Sequence, residues 1–248
     1  NGEWKQVLVD TRIPYNRDTK TPLYGHCADP TEVWVPLIEK AYAKLHGCYE
    51  ALNGGSMAEA LVDLTGGVSE KINLEAPETI EMRDSGALWK ELVKHHQQGY
   101  LLGCSKSVVD EDGNQEEGMG NQGIQYNHAY GIMDIRLALN IQLIRIRNPW
   151  GYAEWTGRYA DEDEAWDDAK GLKDELNYTF EDDGTWWMRY DDWYTNYNKV
   201  YICKIFPAGW QQFSITSKWE GNTAGGPYPP MIDRDETTGV HTQLDTND

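Results

Sequence analysis

His128 and Asn148 are the two residues whose types and spacing most directly suggest chemistry. A histidine can move a proton near neutral pH. An asparagine amide can hold an imidazole in one tautomer, and an indole such as Trp150 can shield the pair from water. His128 opens the segment His128-Ala129-Tyr130 after a polar, glycine-rich loop over 110–122, and Asn148 closes a strand in Arg147-Asn148-Pro149-Trp150-Gly151. A hairpin between them brings both to one end of a sheet, within hydrogen-bond reach of about 3 Å. That is only half of a nucleophilic site, because neither a nucleophile nor an oxyanion hole is evident. On residue types alone, a structural histidine beside a structural asparagine is the weightier reading.

The elements that must position this pair follow from periodicity. Strands are expected over 129–137 and 141–146, joined by a turn at Ala138-Leu139-Asn140. Further strands are expected at 5–10, 100–105, 186–189 and 201–206. A helix begins near the cap-like Asp29-Pro30-Thr31-Glu32, ends at His46-Gly47, and carries Val33, Leu37, Tyr42 and Leu45 as a core-facing stripe. A second helix over 57–63 follows Ser56, with Glu59 at the capping-box position. A third spans about 85–98 and ends in His95-His96, read as surface residues that suit the helix C-terminus. A short aromatic helix is expected over 190–197. Helices come first and strands later, which suggests an α+β unit with a largely antiparallel sheet and flanking helices. The texture changes after Phe206: Phe213-Ser214-Ile215-Thr216 alternates like a strand, and prolines follow. This places a boundary after 208, with an all-β module over 209–248.

Composition bounds the class. The 248 residues are 40% hydrophobic and carry 41 acidic against 22 basic side chains, a net charge of -19, which makes nucleic acid a poor partner. No apolar run long enough to span a membrane occurs. Cys27, Cys48, Cys104 and Cys203 form no CxxC pair, so neither a zinc site nor a disulfide scaffold is expected, and such thiols suit a reducing, cytoplasmic setting. The chain opens directly on a strand without an initiator Met or leader, and reads as a piece of something longer.

Several stretches together resemble the calpain cysteine proteases. They are Leu37 to Gly55, Asp63-Leu64-Thr65-Gly66-Gly67, His128-Ala129-Tyr130, Ile144 to Gly151 and Glu154-Trp155-Thr156-Gly157, in the family's order. The resemblance runs from Gly2 to about Gly226. It implies the second subdomain of a papain-like protease core, followed by the opening strands of a β-sandwich that include Trp219 and 221–226. It further implies that His128 is the general base, that Asn148 orients it and that Trp150 covers their hydrogen bond. The nucleophilic cysteine belongs to a first protease subdomain that this chain lacks, and Cys104 is a core residue. The isolated chain is therefore expected to be inactive, and the parent to be an endopeptidase acting on protein substrates. The competing expectation is a non-catalytic calpain-like module that binds proteins or scaffolds the cytoskeleton.

The family resemblance also implies calcium. Glu154 and Asp161 match one binding loop, and Glu181, through its main-chain carbonyl, and Asp183 match a second. Oxygen donors from two loops suit that ion. From composition alone, the acidic loops are a solvated face. Two positions depart from the family pattern: Thr185 stands where a glutamate ligand is usual, and Asn127 replaces the glycine common before the histidine, where it is expected to narrow substrate access.

Overall fold

A computed structural model of the chain describes residues 4–109, 118–206, 209, 218–220, 232–234 and 241–243. Two compact units divide it, Asn1–Ala208 and Gly209–Asp248. In the first unit the elements run α1 (Trp34–His46), α2 (Met57–Thr65), β1 (Val68–Asn73), α3 (Pro77–Asp84), α4 (Ala87–Gln97), β2 (Leu101–Ser105), β3 (Gly118–Met119), β4 (Gln125–Tyr126), β5 (Ala129–Ala138), β6 (Ile141–Arg147), α5 (Ala165–Asp168), α6 (Leu172–Leu176), β7 (Thr185–Arg189), α7 (Tyr190–Asn196) and β8 (Lys199–Lys204).

Among the described residues, six strands form one antiparallel sheet in the order β1-β8-β2-β5-β6-β7, and β3 pairs with β4 beside it. The fold is therefore α+β, with β1 set between helices rather than after them. The second unit contributes one antiparallel pair, β9 (Ile232–Arg234) with β10 (His241–Gln243). The strand expected at 213–216 and the segment 221–226 lie outside the described residues, as do residues 110–117 of the polar loop. Trp219 is exposed.

The long hairpin β5–β6 is the spine of the sheet. Leu139 and Asn140 both take positive φ (46° and 62°), the turn geometry whose twist matches the flanking strands. Pairing runs from Ala138↔Ile141 to Gly131↔Arg147, with a bulge between Ile132 and Asp134. Alternation sends side chains to opposite faces. Ile144, Ile146, Trp186 and Met188 join Leu88, Leu92 and Trp193 in one buried cluster, while Leu143 and Trp187 join Trp166 and Leu172 in another. Helix α2 also comes close to the sheet, because Gly103 leaves room where a Cβ would meet Met57 Sδ at 2.1 Å.

Several elements differ from the periodicity reading. Residues 5–10 form no strand; they run irregularly alongside α1, where Lys44 Nζ donates to Leu8 O (2.6 Å) and Lys40 Nζ to Asp10 Oδ1 (2.5 Å). Asp29 does not cap α1: its carboxylate accepts Thr31 N–H (2.8 Å) in a local turn, and the helix starts at Trp34. Nor is α1 a core helix, because Trp34 is 59%, Ile38 45% and Leu45 53% exposed while Pro36 and Ala43 are buried. Ser56 makes no side-chain cap. The histidines ending α4 are not both surface residues. His95 is buried and stacks on Tyr100, and His96 Nε2 lies 2.9 Å from Asp134 Oδ1.

Candidate active site

The sheet's pairing decides where His128 and Asn148 stand. His128 immediately precedes β5 and Asn148 immediately follows β6, so both occupy the end opposite the Leu139-Asn140 turn. His128 Nε2 and Asn148 Oδ1 are 2.9 Å apart. Asn148 is fully buried and His128 is 6% exposed. The expected juxtaposition is present.

The local chain makes Asn148 rigid. Asn148-Pro149-Trp150-Gly151 is a tight turn in which Gly151 N–H donates to Asn148 O (3.0 Å) and Trp150 N–H to Asn148 Oδ1 (3.1 Å). The amide nitrogen Nδ2 donates to Tyr152 O (2.9 Å) and Ala153 O (3.0 Å). These two carbonyls can only accept, so they fix which end of the amide is nitrogen. Oδ1 must then accept from the imidazole, Nε2 must carry hydrogen in the neutral ring, and Nδ1 is left as the basic nitrogen. The Trp150 ring lies 4.3 Å from the His128 ring, tilted by 43°, and Tyr130 packs edge-on behind it at 4.8 Å. Trp150 itself is 37% exposed, so it covers the pair from the solvent side.

Asn127 immediately precedes His128. Its φ is +54°, a left-handed conformation that asparagine tolerates better than most residues. Its Oδ1 accepts Val108 N–H and its Nδ2 donates to Val108 O, both at 2.9 Å. The side chain thus pairs with the segment following β2. Tyr130 contributes a further tie by accepting Gln125 N–H at its hydroxyl (2.8 Å).

No cysteine is an evident nucleophile for this pair. Cys104 and Cys203 are fully buried in β2 and β8, and burial pushes the Cys104 thiol pKa far up, the reverse of what a thiolate nucleophile needs. Cys27 and Cys48 lie in the N-terminal segments before the sheet.

The acidic loops adjoin the same end. Glu154 Oε1 accepts Gly184 N–H at 2.7 Å. Burial raises the Glu154 pKa, reinforced by the charges of Asp182 and Asp183 and opposed by the Gly184 bond. Burial raises Asp161 to about 6, with the charges of Glu154 and Asp183 adding to it. Its Oδ2 is buried with no hydrogen-bond partner, while the Tyr178 hydroxyl beside it is committed to the Asp161 main-chain carbonyl (2.7 Å). Hard, crowded carboxylates with an unpartnered buried oxygen suit calcium in kind. Among the described residues, however, no three His, Cys, Asp or Glu side chains are arranged to hold one metal ion. The Glu181 side chain is exposed, and its carbonyl accepts Asp183 N–H at 2.8 Å. Asp183 Oδ1 accepts Thr185 N–H at 2.9 Å, and Arg147 Nη1 sits 3.4 Å from Thr185 Oγ1 and 3.8 Å from Asp183 Oδ2. Sequence reasoning missed Gly184 and the carbonyls of Tyr152 and Ala153. Main-chain groups leave no residue-type signal, and Gly184 reads as an ordinary turn glycine.

The family model for calpain family cysteine proteases matches residues 1–204. The chain is 37% identical over 227 residues to the calpain-type cysteine protease ADL1 of Oryza sativa subsp. japonica, covering 91% of this chain and 10% of that one. Calpain-9 of Rattus norvegicus is 38% identical over 243 residues, covering 91% and 33%. The calpain-2 catalytic subunit of Homo sapiens is 37% identical over 238 residues, covering 91% and 32%. The chain thus spans about a third or less of the length of these curated relatives.

Proposed function

The chain belongs to the calpain family of cysteine proteases, and from that premise we propose that it supplies the base half of a Cys-His-Asn endopeptidase site. The observation that carries this reading is the contact between His128 Nε2 and Asn148 Oδ1 at 2.9 Å, with the amide oriented by the Tyr152 and Ala153 carbonyls. That arrangement leaves Nδ1 of His128 to take the thiol proton of a cysteine. The thiolate attacks a peptide carbonyl of a protein substrate, the ring returns the proton to the leaving amine, and water releases the acyl group. Asn148 fixes the ring, and Trp150 keeps water from competing for the bond.

The reading places this chain as the second, papain-like subdomain of the protease core, with the start of a β-sandwich over 209–248. The thiol comes from a first subdomain, because Cys104 and Cys203 are locked in the sheet. The chain by itself is then inactive. Calcium would be held by the carboxylates of Glu154, Asp161 and Asp183 and the carbonyl of Glu181, with Thr185 unable to supply the charge of a glutamate. When bound, the ion neutralises the crowded acidic loops.

A peptidase assay on casein tests this reading. The chain alone should give no turnover, and the parent protein should cleave. His128→Ala in the parent should cost about 10²–10⁴-fold in kcat, the range of a general base. Unchanged turnover in that variant, or activity of the chain alone that survives purification, would reject the assignment.

A further inference from the structure

Glu154 sits where the family resemblance expects a metal ligand, yet its carboxylate already has a structural bond. Oε1 accepts Gly184 N–H at 2.7 Å, and the other side of that glycine, its carbonyl, accepts Asn148 N–H at 2.7 Å. Two short bonds therefore link the Glu154 carboxylate, one glycine and the Asn148 main chain in series.

Gly184 transmits position because it has no slack. Its φ is +79°, and a Cβ there would lie 2.9 Å from Asn148 O and 2.9 Å from Gly151 Cα. The Asn148 turn and the start of β7 are in direct backbone contact. The second connection runs through the chain itself. The carbonyls that orient the Asn148 amide belong to Tyr152 and Ala153, the two residues before Glu154. Ala153 is held at φ +60°, an unfavourable conformation for alanine that needs an anchor on each side. Glu154 is that anchor on the C-terminal side: its side chain pins the loop 148–154 back onto Gly184.

We propose that Glu154 is a positioning residue for the His128–Asn148 pair, acting through the Gly184 peptide and independently of any metal. The proposal rests on the reading of His128 as the base. It assigns the hydrogen bond, not the negative charge, as the property the site needs from Glu154.

Two conservative variants of the full chain separate bond from charge. Glu154→Gln keeps an oxygen at the same reach and loses the charge. Glu154→Asp keeps the charge and withdraws the carboxylate by about 1.5 Å, out of bonding distance of Gly184. Long-range nitrogen NMR of the histidine rings, without added metal and at about pH 8, above the ordinary histidine range, reads the tautomer of His128; its signal is identified by its loss in His128→Gln. Wild type and Glu154→Gln should hold the Nε2–H tautomer. In Glu154→Asp its ratio to the Nδ1–H form should fall about fivefold, the effect of one lost neutral hydrogen bond. Asp161→Asn, which removes a neighbouring charge without touching Gly184, should match wild type. An unchanged ratio in Glu154→Asp, or a shift in Glu154→Gln or Asp161→Asn as large as the one in Glu154→Asp, overturns the positioning role. A wild-type ring in the Nδ1–H form instead removes the base reading on which it rests.

Discussion

Asn148 and Asp161 lie on connected loops at one end of the same sheet, and they are solved in opposite ways. Each polar atom of the Asn148 side chain has partners: Oδ1 meets His128 and the Trp150 amide, and Nδ2 meets two carbonyls. Asp161 keeps a buried oxygen with no partner and lies in the field of two other carboxylates. A neutral amide can be satisfied wholly by main-chain groups, so its position is set as soon as the chain folds. At Asp161 the charge of Arg145 is outweighed by burial and by the charges of Glu154 and Asp183, and main-chain groups leave one carboxylate oxygen unsatisfied. The first region is therefore preorganised, while the second is left able to respond to a proton or a cation.

The contrast is tested most severely by removing each side chain. Asn148→Ala strips partners from two main-chain carbonyls and from the buried imidazole, and should cost about 3 kcal/mol, the upper end of the about 1–3 kcal/mol for a buried group left unsatisfied. Asp161→Asn should be neutral or stabilising near neutral pH, because it removes a repelled charge. Urea unfolding of both variants compares them directly, and equal destabilisation would erase the distinction.

The residue joining the two regions should give the next largest effect. Gly184→Ala places a methyl group against Asn148 O and forces alanine to φ +79°. A loss of about 1–3 kcal/mol is expected from the strained backbone, together with a disturbed His128 ring signal. A variant as stable as wild type, with that signal unmoved, would mean the two regions are not mechanically connected here.

The pH response should be smaller and should come from the acidic side. Asp161 titrates at about 6 in the folded chain, against an ordinary value of 3.8. A raised carboxyl pKa means the folded state holds its proton longer than the unfolded state. The contribution is therefore complete below about pH 4 and is lost as pH rises through about 6. Thermal melts across that window should show a downward component in wild type that is absent in Asp161→Asn. Matching slopes would place the Asp161 titration elsewhere.

Calcium should produce the smallest shift. With three carboxylates and Thr185 in the second loop, a dissociation constant of about 10⁻⁴ M or weaker is expected, with a modest rise in melting temperature at saturation. Titration calorimetry on wild type and Asp161→Ala checks it. Equal heats for the two, or none for either, would make the acidic loops a solvated face.

Much of this arrangement was legible in the residues. The strand signal over 129–137 and 141–146, with a turn between, is enough to bring His128 and Asn148 to one end of a hairpin, and the strands run one residue further at 129–138 and 141–147. The short aromatic helix α7 was equally clear. The helix α1 and its end at His46 were legible too, but its setting was not, because helical periodicity reports an apolar stripe without saying what faces it, and here Trp34, Ile38 and Leu45 face outward. Strand β1 was missed because Val68–Asn73 is mostly polar and only half-buried. His95 looked like a surface residue from its place in the last turn of α4, yet the helix rotates it into the core against Tyr100.

By itself, the sequence determined the hairpin that carries the site and the chemical types available there, since strand-forming residues and the turn between them are local properties. Only the tertiary structure decided how those types are used. The amide of Asn148 is oriented by the carbonyls of Tyr152 and Ala153, the Glu154 carboxylate is tied to Gly184, and Asp161 is crowded by Glu154 of its own loop and Asp183 of another. Each depends on main-chain groups or charges brought together by loop closure. Such groups are the same at every residue, so no spacing of side-chain types can announce them.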